Sequence, residues 1–199
     1  MSDYLSQKEL ESYLWGAATL LRGLIDASDF KQYIFPLLFI KLLSDVWNGD
    51  YAEAFEETDD GGYATETAND RFVIPEGAKW EDVRGASRDV GRELLKSFQA
   101  IETANPERLK GVFGSASWTD KAQMPDETLK NLIEHFSKHT LSLANVPEDE
   151  LGNGYEYLIK QFADDSGHTA QEFYTNRTLV HLMAQMLEPK AGETIYDPT

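Results

Sequence analysis

The 199-residue sequence contains no cysteine. This absence excludes disulfide bonds, thiolate zinc sites and a cysteine nucleophile, and it fits the reducing cytoplasm. Long apolar runs are also missing. The most apolar stretch, residues 33–43, contains Lys41 and is far shorter than the about 20 residues that a membrane span needs. The amino terminus has no basic segment leading into an apolar run, so neither a secretory signal nor a membrane association is expected.

Positive charge is scarce as well. The chain has 18 Lys and Arg residues against 35 Asp and Glu residues, a net charge of −17. DNA affinity rests largely on the neutralisation of phosphates, so this average charge opposes nucleic-acid binding by the chain alone. The acidic residues are concentrated, with 13 acidic and 6 basic side chains in residues 51–105. Contact with DNA would therefore require local basic patches within a larger assembly.

Helical periodicity dominates the first part of the chain. Ser6 and Glu9 have the spacing of a capping box, and apolar residues then repeat at helical spacing as far as Ile25. A second helix is predicted from residue 28 or 29 to Trp47. Apolar residues occupy nearly every face of this helix, which places it at the centre of a helical core.

The middle of the chain has a different composition. Residues 48–80 are acidic and rich in Gly, Thr and Asp, which predicts a long exposed connection with a short strand over residues 71–74. A third helix is predicted after the capping residue Ser87. A fourth opens at Pro125, and a fifth includes Tyr155 and the apolar positions that follow it.

A polar stretch at residues 164–168 indicates a boundary between a domain over residues 1–165 and a second one over residues 166–199. After it, apolar spacing predicts a helix capped by Thr175 and then a strand over residues 194–196. Helix, tight loop and strand are how an α/β domain opens. The predicted fold class is therefore mainly α, with a helical domain followed by the first helix and strand of an α/β domain.

Two short segments are the most specific signal in the sequence. They read QEFYTNR at residues 171–177 and YDPT at residues 196–199. In this order and at this spacing they are similar to the first two cofactor motifs of amino-methyltransferases. In the modification subunits of type I restriction–modification systems, the first motif reads approximately Gly-[Glu/Gln]-Phe-[Tyr/Phe]-Thr-Pro-Arg and the second opens with Asp-Pro. Asn176 stands where that family usually has proline.

The upstream sequence agrees with this resemblance. Residues 14–18, 33–45 and 151–159 resemble the helical amino-terminal domain of the same subunits. The chain is thus identified as a member of the adenine-specific DNA methyltransferase subunits of type I systems. The resemblance implies a helical domain followed by the beginning of a truncated, Rossmann-like methyltransferase domain that uses S-adenosylmethionine.

The resemblance also implies a function for the parent protein. It would transfer a methyl group from S-adenosylmethionine to adenine N6 in DNA, with a specificity subunit, a restriction subunit and a second copy of itself as partners. The family motif Asn-Pro-Pro-[Tyr/Phe], which holds the flipped adenine, does not occur in these 199 residues. No catalytic residue is therefore assigned, and the chain alone is expected to be inactive while helping assembly and DNA enclosure.

By resemblance, seven residues bind S-adenosylmethionine. Thr175 would offer a hydroxyl, and the following helix start would offer free amides, to the carboxylate of the cofactor. Asp197, at the end of the predicted strand, would accept a hydrogen bond from the cofactor's ammonium. The set is Glu172, Phe173, Tyr174, Thr175, Asn176, Arg177 and Asp197. A capped helix with aromatic packing would account for the first six residues but not for Asp197.

Four basic residues recur at every fourth position, namely Arg84, Arg88, Arg92 and Lys96. On a single helix they would form a slanting stripe, which predicts contacts with DNA phosphates in the assembled enzyme. The alternative is a solvated face neutralised by neighbouring carboxylates. His135 and His139 have a spacing that can hold a metal ion, but no third ligand is evident, so a plain helix surface is expected.

Two other functions stay open. The chain could be a non-catalytic helical interaction module, or it could open a methyltransferase that is fused to its own recognition domain. A reading frame that continues past Thr199 into a glycine loop and an Asn-Pro-Pro-aromatic segment would distinguish a methyltransferase from the module.

Overall fold

Helices make up the fold in the residues that the computed structural model describes, 4–165 and 177–196. They are α1 (Gln7–Leu21), α2 (Phe30–Thr58), α3 (Gly61–Asn69), α4 (Trp80–Arg84), α5 (Val90–Ala104), α6 (Asp126–Phe136), α7 (Glu148–Asp165) and α8 (Arg177–Leu187), with a 3-10 turn at Ala27–Asp29. These described ranges contain no β-strand. None of the described helices has the length and apolarity to cross a membrane. The mainly helical class is confirmed.

Helix α1 begins as its sequence predicts. The backbone amide of Ser6 donates to the Glu9 carboxylate at 3.0 Å, and the Ser6 hydroxyl accepts from the Glu9 amide at 3.4 Å. These two bonds satisfy amides that the first turn would otherwise leave unpaired. The buried face of α1 includes Leu10 and Leu14 and packs against α6 and α7. The helix ends at Leu21, four residues earlier than the apolar spacing predicted.

Helix α2 occupies the centre of the core, as predicted, but its predicted end at Trp47 is wrong. The helix continues to Thr58, 29 residues in all. The rings of Trp47, Tyr51 and Phe55 lie one turn apart and stack nearly parallel, with centroid distances of 5.2 and 5.9 Å. Because these aromatic contacts follow the helical spacing, they stabilise the extension into a segment whose composition is acidic.

The predicted exposed connection over residues 48–80 is wrong. The chain turns back through Asp59, whose φ of 52° is left-handed, and α3 packs antiparallel to the end of α2. The Asp60 carboxylate caps α3 by accepting hydrogen bonds from the backbone amides of Gly62 and Tyr63, at 2.8 and 3.2 Å. Ala64 and Ala68 are the buried side chains of α3, and their small size lets the two helices approach closely. We call this α2–α3 unit, residues 50–70, the acidic hairpin.

The predicted strand over residues 71–74 is also wrong. The backbone of Val73 pairs with a side chain instead of another strand: its amide donates to Asn105 Oδ1 at 2.9 Å, and its carbonyl accepts from Asn105 Nδ2 at 2.8 Å. Asn105 lies at the carboxyl end of α5. One amide side chain therefore satisfies the polar backbone groups that a neighbouring strand would have satisfied.

Buried polar side chains on α2 hold two distant segments against the core. The Asp45 carboxylate forms an ion pair with Lys41 and accepts a hydrogen bond from the amide of Leu141 at 2.6 Å. Burial raises the pKa of Asp45, and the bonds from Leu141 and Lys41 oppose that rise. One residue earlier, the Ser44 hydroxyl accepts from the amide of Trp80 at 2.9 Å. Together these bonds position the start of α4 and the segment after α6.

Candidate functional site

The segment assigned to the cofactor lies mostly outside the described residues. Glu172, Phe173, Tyr174, Thr175, Asn176 and Asp197 all fall there. Arg177 is the first residue of α8. The helix predicted after Thr175 is confirmed, and its first turn follows the motif directly.

Helix α8 is amphipathic, and its apolar side is exposed within the described residues. Leu179, Leu182, Met183 and Met186 recur at helical spacing, and Met186 is 76% exposed. Apolar stripes of this kind are normally buried against another element. In the described part of the chain this stripe is not buried, because every described side chain of α8 is exposed.

The strand predicted over residues 194–196 does not form in the described residues. Ile195 and Tyr196 are 85% and 86% exposed. A strand needs a neighbour to pair its backbone groups, and the described ranges contain none. The beginning of a Rossmann-like sheet thus stays a prediction.

The four predicted basic residues do not share one helix, so that part of the prediction is wrong. Arg84 ends α4, Arg88 lies in the loop after it, and α5 begins only at Val90. The predicted cap Ser87 is replaced by Asp89, which adopts a left-handed φ of 52° just before α5. This conformation interrupts the helical path, because a side chain at positive φ cannot continue a right-handed helix.

Arg84 is engaged by a carboxylate of another helix. Its guanidinium donates two parallel hydrogen bonds to Glu134 on α6, from Nε to Oε1 and from Nη2 to Oε2, both at 2.8 Å. This bidentate geometry is the strongest arrangement for an arginine–carboxylate pair. The hydrogen bonds from Arg84 lower the pKa of Glu134, so the carboxylate stays ionised and compensates the arginine.

Lys96 is compensated as well, since its ammonium contacts the Glu93 carboxylate at 2.7 Å on the same helix. Lys121 contacts Asp89 at 2.6 Å and Asp126 at 3.4 Å. Its hydrogen bond lowers the pKa of Asp89. The sequence analysis did not link Lys121 to this region, because 32 residues separate it from Asp89.

Arg88 and Arg92 differ from these pairs. Both are exposed, and within residues 4–165 and 177–196 neither side chain has a hydrogen bond or an ion pair. Lys130 of α6 lies at the same loop, where its ammonium donates to the backbone carbonyl of Ser87 at 2.5 Å. A carbonyl group has no net charge, so this hydrogen bond positions the Lys130 ammonium without neutralising its charge.

His135 and His139 do not lie on a plain helix surface. The His135 ring stacks on Tyr13 at 5.2 Å, and its Nε2 lies 2.7 Å from the Tyr13 carbonyl oxygen. His139 contacts the edge of the same ring at 5.0 Å. The described residues include no group of three or more side chains that could hold a metal ion. Both imidazoles pack on Tyr13 of α1, His135 from α6 and His139 from the segment after it.

An open apolar groove of about 350 Å³ lies between α2 and α7. Its walls include Phe35, Leu38 and Phe39 of α2 and Leu151 and Tyr155 of α7. The rings of Phe35 and Tyr155 lie 4.4 Å apart across it. The apolar pattern of α2 placed its residues in a core, so the sequence analysis did not predict the groove.

Two family models match the chain in succession. The model described as HsdM N-terminal domain matches residues 10–136. The model described as N-6 DNA Methylase matches residues 146–199. The first match covers most of the helical body, and the second begins just before α7 and includes α8.

Curated relatives give the same result. The methylase subunit of the type I restriction enzyme MjaIX from Methanocaldococcus jannaschii is 26% identical over 96% of this chain. The HindI methylase subunit from Haemophilus influenzae is 34% identical over 57% of the chain, and the MpnII subunit from Mycoplasma pneumoniae is 24% identical over 94%. The chain spans 37%, 26% and 41% of the length of these three relatives.

A solved structure shares the fold. The methyltransferase subunit of a type I restriction–modification system from Streptococcus thermophilus aligns with a TM-score of 0.72 and 26% identity. The alignment covers 91% of this chain and 44% of that one. The matched helical architecture, the two successive family models and the curated relatives agree, and the chain belongs to the HsdM N-terminal domain family of type I restriction–modification methyltransferase subunits.

Proposed function

We propose that the chain is the amino-terminal portion of a protein that transfers a methyl group from S-adenosylmethionine to adenine N6 in DNA. The observation that carries this proposal is the succession of the two family matches, a helical domain at residues 10–136 followed by N-6 DNA Methylase sequence at residues 146–199. This order favours a methyltransferase subunit over an isolated interaction module. The finer parts, adenine specificity and a Rossmann-like sheet that begins at residues 194–196, rest on the motifs at residues 171–177 and 196–199.

The residues around α8 have the chemistry to bind the methionine end of S-adenosylmethionine. Helix α8 begins at Arg177, two residues after Thr175, so the unpaired amides of its first turn follow the motif directly. Free amides at a helix start, with an adjacent hydroxyl, suit a carboxylate. Phe173 and Tyr174 would form an apolar wall beside it, with Asp197 accepting from the ammonium. When bound, S-adenosylmethionine supplies the methyl group.

The remaining cofactor assignments, Glu172, Asn176 and Arg177, follow the family motif. A base that is methylated must leave the helical stack, and the polar groups that hold it belong to the Asn-Pro-Pro-aromatic motif. That motif does not occur in residues 1–199. The role of this chain is therefore to begin the cofactor site and to supply the helical domain, which we place at residues 1–165, for assembly and DNA enclosure.

The proposed partners are DNA, a specificity subunit that reads the bases, a restriction subunit and a second copy of the chain. A specificity subunit is proposed because the relatives are named as methylase subunits of type I restriction enzymes. The cytoplasm is the proposed location, in agreement with the absence of cysteine. The chain's net charge of −17 makes DNA binding by the isolated chain weak, so an assembly would supply most of the affinity.

Transfer of labelled methyl groups tests this function. The complete protein, purified with its specificity subunit, should methylate adenine in unmodified DNA when S-adenosylmethionine is supplied, and the 199-residue chain alone should not. Methylation of cytosine would contradict the adenine assignment. Tight assembly without methylation of any base would favour the helical interaction module, and activity without a separate specificity subunit would favour a fused recognition domain.

A further inference from the structure

The acidic and basic residues of the chain are segregated in the fold. Residues 84–138, which include α5 and α6, carry nine Lys or Arg and eight Asp or Glu residues. The other 144 residues carry nine Lys or Arg and 27 Asp or Glu residues. The acidic hairpin alone has eight carboxylates and no Lys or Arg. A polyanion would therefore be repelled by the hairpin and least opposed by the part of the surface built from residues 84–138.

Three of the nine cations of this region are compensated by carboxylates. Arg84 is paired with Glu134, Lys96 with Glu93, and Lys121 with Asp89. An arginine held bidentately by a carboxylate would have to break two hydrogen bonds before it could contact a phosphate. These three residues therefore have little free charge to offer to a ligand.

Three cations at the α4–α5 loop remain uncompensated. Arg88 and Arg92 are exposed and have no ion pair in the described ranges, and Lys130 is held only by the neutral carbonyl of Ser87. The one carboxylate between the arginines, Asp89, forms its ion pair with Lys121 at 2.6 Å. Lys121 thus takes the direct contact with Asp89, while Arg88 and Arg92 act on this carboxylate only through charge, which lowers its pKa further.

We propose that Arg88, Arg92 and Lys130 form a contact surface for the phosphate backbone of double-stranded DNA, and that Arg84 and Lys96 are not part of it. This inference rests on the proposed function, because DNA is the partner it requires. Charge complementarity supports duplex DNA as the occupant. The surface belongs to an otherwise acidic chain, and its guanidinium groups match phosphate geometry. Such contacts position the protein on DNA and carry no sequence information.

The salt dependence of DNA binding tests the proposal in the complete methyltransferase with its specificity subunit. Each phosphate contact contributes about 0.9 to the slope of log K against log salt concentration. The double variant Arg88→Gln/Arg92→Gln should reduce the slope by about 1.8, and Lys130→Gln by about 0.9. The matched control Arg84→Gln/Lys96→Gln also removes two positive charges and should leave the slope within experimental error of the wild-type value.

Three outcomes would overturn the proposal: an unchanged slope in Arg88→Gln/Arg92→Gln, an equal loss in both double variants, or failure of Arg88→Gln/Arg92→Gln to assemble with the specificity subunit. The last result would assign the surface to a protein partner. Unfolding by urea confirms that each variant is folded. Methyl transfer at low salt distinguishes the proposed methyltransferase function from the proposed phosphate contacts. If Arg88→Gln/Arg92→Gln keeps wild-type activity and an unchanged slope, only the phosphate contacts are contradicted.

Discussion

The carbonyl oxygen of Trp118 lies so close to Gly91 that a Cβ atom built on the glycine would be 1.8 Å from it. Trp118 is almost fully buried, and its ring contacts Tyr33 of α2 and Phe98 of α5. The first turn of α5 therefore meets the loop that carries this tryptophan in direct backbone contact. A side chain as small as alanine would separate the two segments.

Gly91→Ala should destabilise the protein on the order of 3 kcal/mol, because relief of the clash requires a backbone shift in the core. The matched control is Gly152→Ala in α7, where no atom lies within 4 Å of the added Cβ. This change should stabilise the protein by about 0.5–1 kcal/mol, since alanine loses less conformational freedom in a helix than glycine. Urea unfolding of both variants measures the difference, and destabilisation of equal size would contradict the close contact.

The buried pair of Lys41 and Asp45 provides a second test. Asp45→Leu should destabilise the fold by about 3–5 kcal/mol, because it leaves the Lys41 ammonium buried without its counterion. Lys41→Met/Asp45→Leu should lose clearly less than the two single variants combined. A residual loss is expected in the double variant, since the amide of Leu141 no longer has its acceptor. Additive losses in the double-mutant cycle would show that the two charges do not interact.

The pH dependence of stability should report on His135. Burial against α1 lowers the pKa of His135, Lys138 and His139 lower it further, and the bond to the Tyr13 carbonyl opposes them. A histidine whose folded pKa is lowered stabilises the protein fully above its unfolded pKa of about 6.5. That stability is lost as pH falls below this value. His135→Gln should therefore lose less stability than the wild type between pH 7 and pH 5.

Urea unfolding across this pH range measures the effect of His135→Gln. The matched control is His181→Gln, which removes an imidazole from the exposed helix α8. Asp45 also titrates, with a pKa raised by burial, but it is present in all three proteins and cancels in the comparison. Identical pH profiles for the wild type and His135→Gln would show that protonation of His135 does not affect folding.

The cofactor motif makes a prediction for the complete protein. Thr175→Val should weaken S-adenosylmethionine binding by about 1–2 kcal/mol, since one hydrogen bond to a charged group is lost while the side-chain volume is kept. The matched control Thr178→Val, at the second residue of α8, keeps the backbone amide and should leave binding unchanged. Titration calorimetry measures both, and normal binding by Thr175→Val would contradict the motif assignment. The 199-residue chain alone should not bind the cofactor, because the glycine loop of the family does not occur in residues 1–199.

Most helices could be predicted from local patterns. The capping box of Ser6 and Glu9, the apolar spacing of α5 and α6 and the start of α6 after Pro125 depend on neighbours within one or two turns. Such signals depend only on residues that are close in sequence, so they can be recognised without the rest of the fold. The motif at residues 171–177 likewise predicted a helix after Thr175, and α8 begins at Arg177.

The acidic hairpin could not be predicted in this way. Its composition is that of an exposed loop, and its helices are stabilised by the buried faces of Ala64 and Ala68 against α2, which composition does not reveal. The missing strand at residues 71–74 has a similar cause, since Asn105 supplies its hydrogen bonds from 32 residues away.

The basic residues show most clearly what tertiary structure decides. The sequence alone presents Arg84, Arg88, Arg92 and Lys96 as four equivalent positions of one periodic pattern. In the fold, Glu134 is brought to Arg84 from 50 residues away and Lys121 to Asp89 from 32 residues away. These contacts compensate Arg84 and leave Arg88 and Arg92 without a direct ion pair in the described residues. Periodicity specifies which side chains lie along a helix, but their charge depends on counterions that only chain folding brings within contact distance.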